Sequence, residues 1–272
     1  MPQSRDRYRY IAERLSPLSK YRVFPERYYI INHRYKFIYC PIPKVACTSI
    51  KQAILDLTDA DSSVDNIHLY VHNRFSLGIY HHEDARKFLN DSNYFKFAFI
   101  RNPWTRIASA YVSKFVYPIM GLLAQFAREV IEKIYYDCGL EPNYEKSITF
   151  KQFVKYLVAN EDRQLDFHWL PQHLFLSKNY ALDFIGKFEN IEQDFKHIQQ
   201  KLKFEIELPW ENKSYARVEL PKGEKEFYEY YPNELRQLPN IPQYKQFYNS
   251  DLIDAIGEKY NRDVAIFNYK FN

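Results

Sequence analysis

The chain has 272 residues, enough to bury a full core, and its 46% apolar and 26% charged content is that of an ordinary globular protein rather than a disordered or fibrous one. Three cysteines without framework or metal-ligand spacing exclude a disulfide scaffold and a zinc module. The net charge of +4 is uneven: residues 1–36 hold nine basic and three acidic side chains, so the excess belongs to the N-terminus.

This basic extension, 1–36, is expected to reach an anionic surface or to remain a solvated arm. Tyr8–Leu15 reads as a short helix ended by Ser16-Pro17. The start resembles no secretory signal, and no run reaches the eighteen apolar residues of a spanning helix. The expected location of the chain as given is therefore cytoplasmic. Aromatic residues make up 18%, including 25 Tyr and 21 Phe; most are expected in the core, although tyrosine also suits sugar ligands.

Residues 37–272 read as one domain. Phe37-Ile38-Tyr39-Cys40 is a continuous apolar run, the pattern of a buried parallel strand. It leads into Pro41-Ile42-Pro43-Lys44-Val45-Ala46-Cys47-Thr48-Ser49, after which Ile50, Ala53, Ile54 and Leu57 recur at helical spacing. A strand, tight loop and helix in that order aim loop amides and the helix dipole at one spot, where an anion is stabilised. Lys44, Thr48 and Ser49 add an ammonium and two hydroxyls. The alternative is an ordinary turn with Thr48 or Ser49 as the helix cap. The lysine comes early and no glycine is present, unlike the common nucleoside-triphosphate loop.

Thr58–Asn66 reads as a loop, and 67–93 has no clear assignment but contains His68, His72, His81 and His82. Phe95–Ile100 is a second buried strand that ends in Arg101. Asn102 and Pro103 are suited to cap and start a helix that carries Ser109. Arg101 thus stands at the carboxyl end of a strand, where open α/β sheets bind ligands, with a guanidinium suited to phosphate. Downstream, 121–135 and a segment capped by Thr149 are helical, 183–189 is a strand, and Ile191, Phe195, Ile198 and Leu202 mark a further helix. The prolines and tyrosines of 221–249 predict irregular structure before a last helix around Leu252, Ile256 and Tyr260.

Pro-Lys-Val-Ala-Cys-Thr-Ser after one strand, and Arg-Asn-Pro with a serine eight residues beyond the arginine after another, resemble the paired nucleotide signatures of the sulfotransferases. The closer resemblance is to the carbohydrate branch related to the chondroitin and HNK-1 enzymes, and it extends through His168-Trp169-Leu170-Pro171-Gln172 and Asp183–Glu189 to about residue 270. It implies a P-loop-like, three-layer α/β fold, with a central, mainly parallel sheet flanked by helices. It also implies 3′-phosphoadenosine-5′-phosphosulfate as sulfuryl donor and a carbohydrate or glycolipid acceptor, with no metal. Lys44, Val45, Ala46, Cys47, Thr48 and Ser49 would hold the phosphosulfate, Arg101 and Ser109 the 3′-phosphate. Lys213 belongs to a stretch that resembles the family's closing segment.

The resemblance implies a base between the two signatures, which points to His82, with His81, His72 and His168 as alternatives. Membrane-anchored Golgi members begin with a transmembrane helix and a stem that have no counterpart in this reading. The competing expectations are a nucleotide-dependent phosphotransferase and a non-catalytic glycan-binding relative.

Overall fold

The computed structural model describes residues 25–58, 64, 66–118, 123–209, 217–221, 223 and 225–271. The expected helix at 8–15, most of the basic arm and Lys213 lie outside the described residues. In chain order the strands and α-helices are β1 (Ile30–Asn32), β2 (Phe37–Cys40), α1 (Cys47–Asp56), α2 (Ile67–Phe75), α3 (His82–Asn90), β3 (Phe95–Ile100), α4 (Pro103–Tyr111), α5 (Gln125–Asp137) and α6 (Phe150–Ala159). They continue with β4 (Phe184–Lys187), α7 (Ile191–Leu202), β5 (Arg217–Val218), α8 (Pro232–Leu235), β6 (Ile241–Pro242), α9 (Ser250–Lys259) and α10 (Asn261–Phe267). Two compact units result, each assembled from two stretches of chain: 1–101 with 172–212, and 102–171 with 213–272.

The first unit contains the central sheet, in the order β1-β2-β3-β4. β2 and β3 pair in parallel, as do β3 and β4, while β1 adds an antiparallel edge. All four residues of β2 are buried, as are the last five of β3, which explains why both read as continuous apolar runs. β1 lies within the stretch assigned to the basic extension, yet Ile30 and Ile31 are buried and pair with Tyr39 and Ile38. Helices flank the sheet: α1 packs on α2, α2 on β1, and α7 on β4. Gly186 in β4 permits one close approach, since a Cβ there would lie 2.5 Å from the Phe99 ring.

Residues 67–93, unassigned from sequence, form α2 and α3. Asn66 caps α2, its side chain accepting from Leu69 N at 3.1 Å.

The second unit begins as its sequence predicts. Asn102 accepts from Trp104 N at 3.1 Å, Pro103 is the first helical residue, and α4 continues into a π-helical turn, Val112–Val116. Tyr111, Phe115, Phe150, Phe153, Trp169 and Phe247 are almost fully buried. Ring centroids of Phe115 and Phe153 stand 5.1 Å apart and those of Phe153 and Trp169 5.2 Å, so part of the aromatic content builds this core. Thr149 caps α6 in a reciprocal box with Gln152. The segment from 217 to 249 is irregular, holding 3-10 turns, the four-residue α8 and the two-residue pair β5 and β6. The last helix divides at Tyr260, whose hydroxyl donates to Trp169 O at 2.5 Å.

Among the described residues no helix is long and apolar enough to cross a membrane. None of their His, Cys, Asp and Glu side chains forms a group of three or more that could hold a metal ion.

Candidate functional site: an anion loop at the carboxyl end of the sheet

The loop after β2 turns without glycine. Lys44 and Ala46 both adopt left-handed backbone, with φ of 67° and 51°. Such a conformation costs a non-glycine residue about 1–3 kcal/mol and persists only where its surroundings impose it. Val45 supplies one such constraint, being fully buried. Ala46 is the helix cap and makes no side-chain capping bond, so neither Thr48 nor Ser49 plays that role. Cys47, Thr48 and Ser49 are instead the first three helical residues. Their amides belong to the turn that an α-helix leaves without intrahelical acceptors, at the positive end of the dipole.

Arg101, just beyond β3, reaches this loop. Its Nη1 donates to the carbonyl of Lys44 at 3.1 Å, and its guanidinium lies 4.1 Å from the centre of the Phe188 ring. The backbone of Arg101 is held by Gln172, which accepts from Arg101 N at 2.9 Å and donates to Arg101 O at 2.8 Å. Gln172 is fully buried, so this amide substitutes for the next rung of a ladder that the end of β3 lacks. Arg101 is 9% exposed. The two loops that follow the two central strands are therefore joined by a cation. Their donors fit an oxyanion: helix amides, hydroxyls, an ammonium and a guanidinium.

Two residues absent from the site as read from sequence adjoin the loop. His68 on α2 bonds through Nε2 to Thr48 Oγ1 at 3.1 Å and through Nδ1 to Lys51 Nζ at 3.1 Å. Lys51 is 9% exposed, and burial lowers its pKa from the usual lysine value. The available signal for Lys51 was its place on the same helical face as Thr48, three residues on; nothing local marked His68.

Ser109, 7% exposed, lies on α4 in the second unit. The candidate bases are scattered. His81 is the exposed cap of α3 and His82 its exposed first residue. His72 stacks on Tyr28 with ring centroids 5.4 Å apart, and burial, helped by Lys51 and Arg27, lowers its pKa to about 4. His168, in the second unit, makes a 2.6 Å bond from Nδ1 to Asp166 Oδ1 and stacks on Phe126 at 4.8 Å. Burial pushes the Cys40 thiol up to about 12, which suits a packing residue rather than a nucleophile.

The model of the sulfotransferase family matches residues 27–270. The chain is 32% identical over 176 residues to carbohydrate sulfotransferase 14 of Homo sapiens, a match that covers 63% of this chain and 46% of that protein. It is 30% identical over 187 residues to carbohydrate sulfotransferase 9 of Homo sapiens, covering 67% and 42%. With carbohydrate sulfotransferase 11 of Mus musculus it shares 24% over 186 residues, covering 64% and 52%. The matches thus span about half the length of these curated relatives. No solved structure matches the chain.

Proposed function

The chain belongs to the sulfotransferase family, and from that premise we propose that it transfers a sulfuryl group from 3′-phosphoadenosine-5′-phosphosulfate to a hydroxyl of a carbohydrate or glycolipid. The observation that carries this reading is the bond from Arg101 Nη1 to Lys44 O, which ties the two signature loops to each other. The carbohydrate acceptor is supported by the relatives, which are carbohydrate sulfotransferases.

In the step proposed, the acceptor oxygen forms a bond to sulfur while the bond from sulfur to the bridging phosphate oxygen breaks. The electron pair of that bond stays on the 5′-phosphate, and the hydroxyl proton passes to a base. Sulfuryl transfer resembles phosphoryl transfer, so most of the catalysis is positioning and charge stabilisation. Lys44 neutralises the charge that develops on the bridging oxygen. Thr48, Ser49 and the first-turn amides of α1 hold the phosphosulfate, and Arg101 with Ser109 takes the 3′-phosphate.

For the base, the family resemblance favours His82 and local geometry favours His168. A carboxylate on Nδ1 fixes the tautomer in which Nε2 accepts a proton, and the Asp166–His168 pair has that arrangement. His72 is the weakest choice, because a pKa of about 4 leaves it little basicity.

Calorimetric titration with 3′,5′-bisphosphoadenosine, beside ATP with magnesium, tests the reading. Tight binding of the bisphosphate alone supports it. Binding of ATP with magnesium alone overturns it in favour of a phosphotransferase. A chain that binds the bisphosphate but sulfates no glycan in a screen with labelled donor is the non-catalytic relative.

A further inference from the structure

We propose that Lys51 and His68 are positioning residues that fix the polarity of the Thr48 hydroxyl, so that Thr48 donates its proton to an anionic oxygen of the bound 5′-phosphate. This inference rests on the reading of the loop as the phosphosulfate site.

The relay follows from what each group can do. A lysine ammonium has three donors and no acceptor, so in the 3.1 Å contact with Lys51 Nζ it is His68 Nδ1 that accepts. A neutral imidazole with an accepting Nδ1 carries its hydrogen on Nε2. Nε2–H then donates across 3.1 Å to Thr48 Oγ1. A hydroxyl has one proton and two lone pairs, and this bond occupies a lone pair and leaves the proton to be given. Without the imidazole, nothing from His68 holds that lone pair, and the hydroxyl rotor is ordered only as the phosphate binds, at an entropic cost. The direction is set before the ligand arrives, the condition under which a polar group stabilises charge without reorganising.

Placement supports the relay. Thr48 and Lys51 are three residues apart on α1 and share a face, and α2 packs on that helix with His68 in its first turn. A buried ammonium is costly unless it is hydrogen-bonded. Lys51 sits in such a place, at 9% exposure, one turn into the helix whose N-terminus faces the proposed phosphate. An aliphatic side chain would satisfy the packing there; an ammonium additionally dictates the tautomer of His68.

The alternative is that Lys51 and His68 merely hold α2 to α1. A double-mutant cycle separates the two, read as affinity for 3′,5′-bisphosphoadenosine by calorimetry, with the thermal midpoint of each variant measured in parallel. His68→Leu is expected to weaken binding about tenfold, the scale of one hydrogen bond to a charged group. His68→Gln, whose amide nitrogen takes the place of Nε2, should restore affinity to within about threefold of wild type. In a Thr48→Val background, His68→Leu should have no further effect on affinity.

Equal losses from His68→Leu with and without Thr48 overturn the inference, as does a His68→Gln variant that binds no better than His68→Leu. A wild-type protein that does not bind the bisphosphate overturns both the functional reading and this relay. Binding by wild type together with an additive cycle removes the relay alone.

Discussion

Lys44 combines a catalytic assignment with an unusual backbone, and the two can be tested separately. Its left-handed φ is an adaptation that glycine makes at little cost, so the side chain has a reason to be there that the turn does not supply. Lys44→Gly should therefore leave the thermal midpoint unchanged or raised, while turnover falls more than nucleotide affinity, as expected of a group that acts on transition-state charge. Arg101→Ala should do the opposite, weakening the bisphosphate by more than tenfold, roughly 1.4 kcal/mol or more, in a calorimetric titration. Arg101→Lys is not a conservative control, because an ammonium lacks the planar fork that meets both Lys44 O and the Phe188 face.

His72 gives a pH signature. Its folded pKa of about 4 lies below the ordinary histidine value of 6.5, so between these pH values the unfolded chain binds more protons. Its contribution is present above about pH 6.5 and is lost as the pH falls towards 4, up to roughly 3 kcal/mol. His72→Phe, which can keep the stack on Tyr28, should flatten the stability curve over that window in denaturant titrations at several pH values. An unchanged slope would dissociate His72 from the acid sensitivity.

At the scale of the element, Gly186 illustrates a constraint that acts across a sheet. A methyl group there would meet the Phe99 ring at 2.5 Å and the Phe184 ring at 3.1 Å. Gly186→Ala should destabilise by about 1–3 kcal/mol in chemical denaturation, the cost of overpacking. Phe99→Leu should recover part of that loss if the clash is the cause. Elements with strong local signals were legible in the sequence: β2 and β3 from their apolar runs, α4 from Asn102-Pro103, and α6 from Thr149. Helices α2 and α3 were not. They have nine residues each and bury only two apiece, too little for an apolar periodicity to stand out. The anion loop was legible as a cradle from its residue types, but its left-handed turns were not, since no glycine announced them.

At the scale of the whole molecule, the start of the fold is the sharpest question. Strand β1 covers the open edge of β2, and Tyr29 just before it donates its hydroxyl to Phe175 O at 2.8 Å and accepts from Ser177 N at 2.8 Å. A chain beginning at residue 37 would expose that edge and leave those groups without Tyr29, so it should aggregate or lose cooperative unfolding. The full chain should show a cooperative transition in calorimetry. If the shorter chain melts as well as the longer one, β1 is dispensable.

The sequence by itself determined what depends on a few neighbouring residues: that the runs at 37–40 and 95–100 are strands, that Asn102 and Thr149 cap helices, and where a cation and hydroxyls meet a helix start. Tertiary structure decided which distant stretches meet, including the return of 172–212 to the first unit, Gln172 bonding Arg101, and His68 reaching Thr48 and Lys51. The reason is physical. Capping bonds and apolar periodicity act within a turn or two, so they are written locally. Pairings between distant segments are selected by burial and by the need to satisfy every enclosed polar group, and those conditions exist only once the chain has folded.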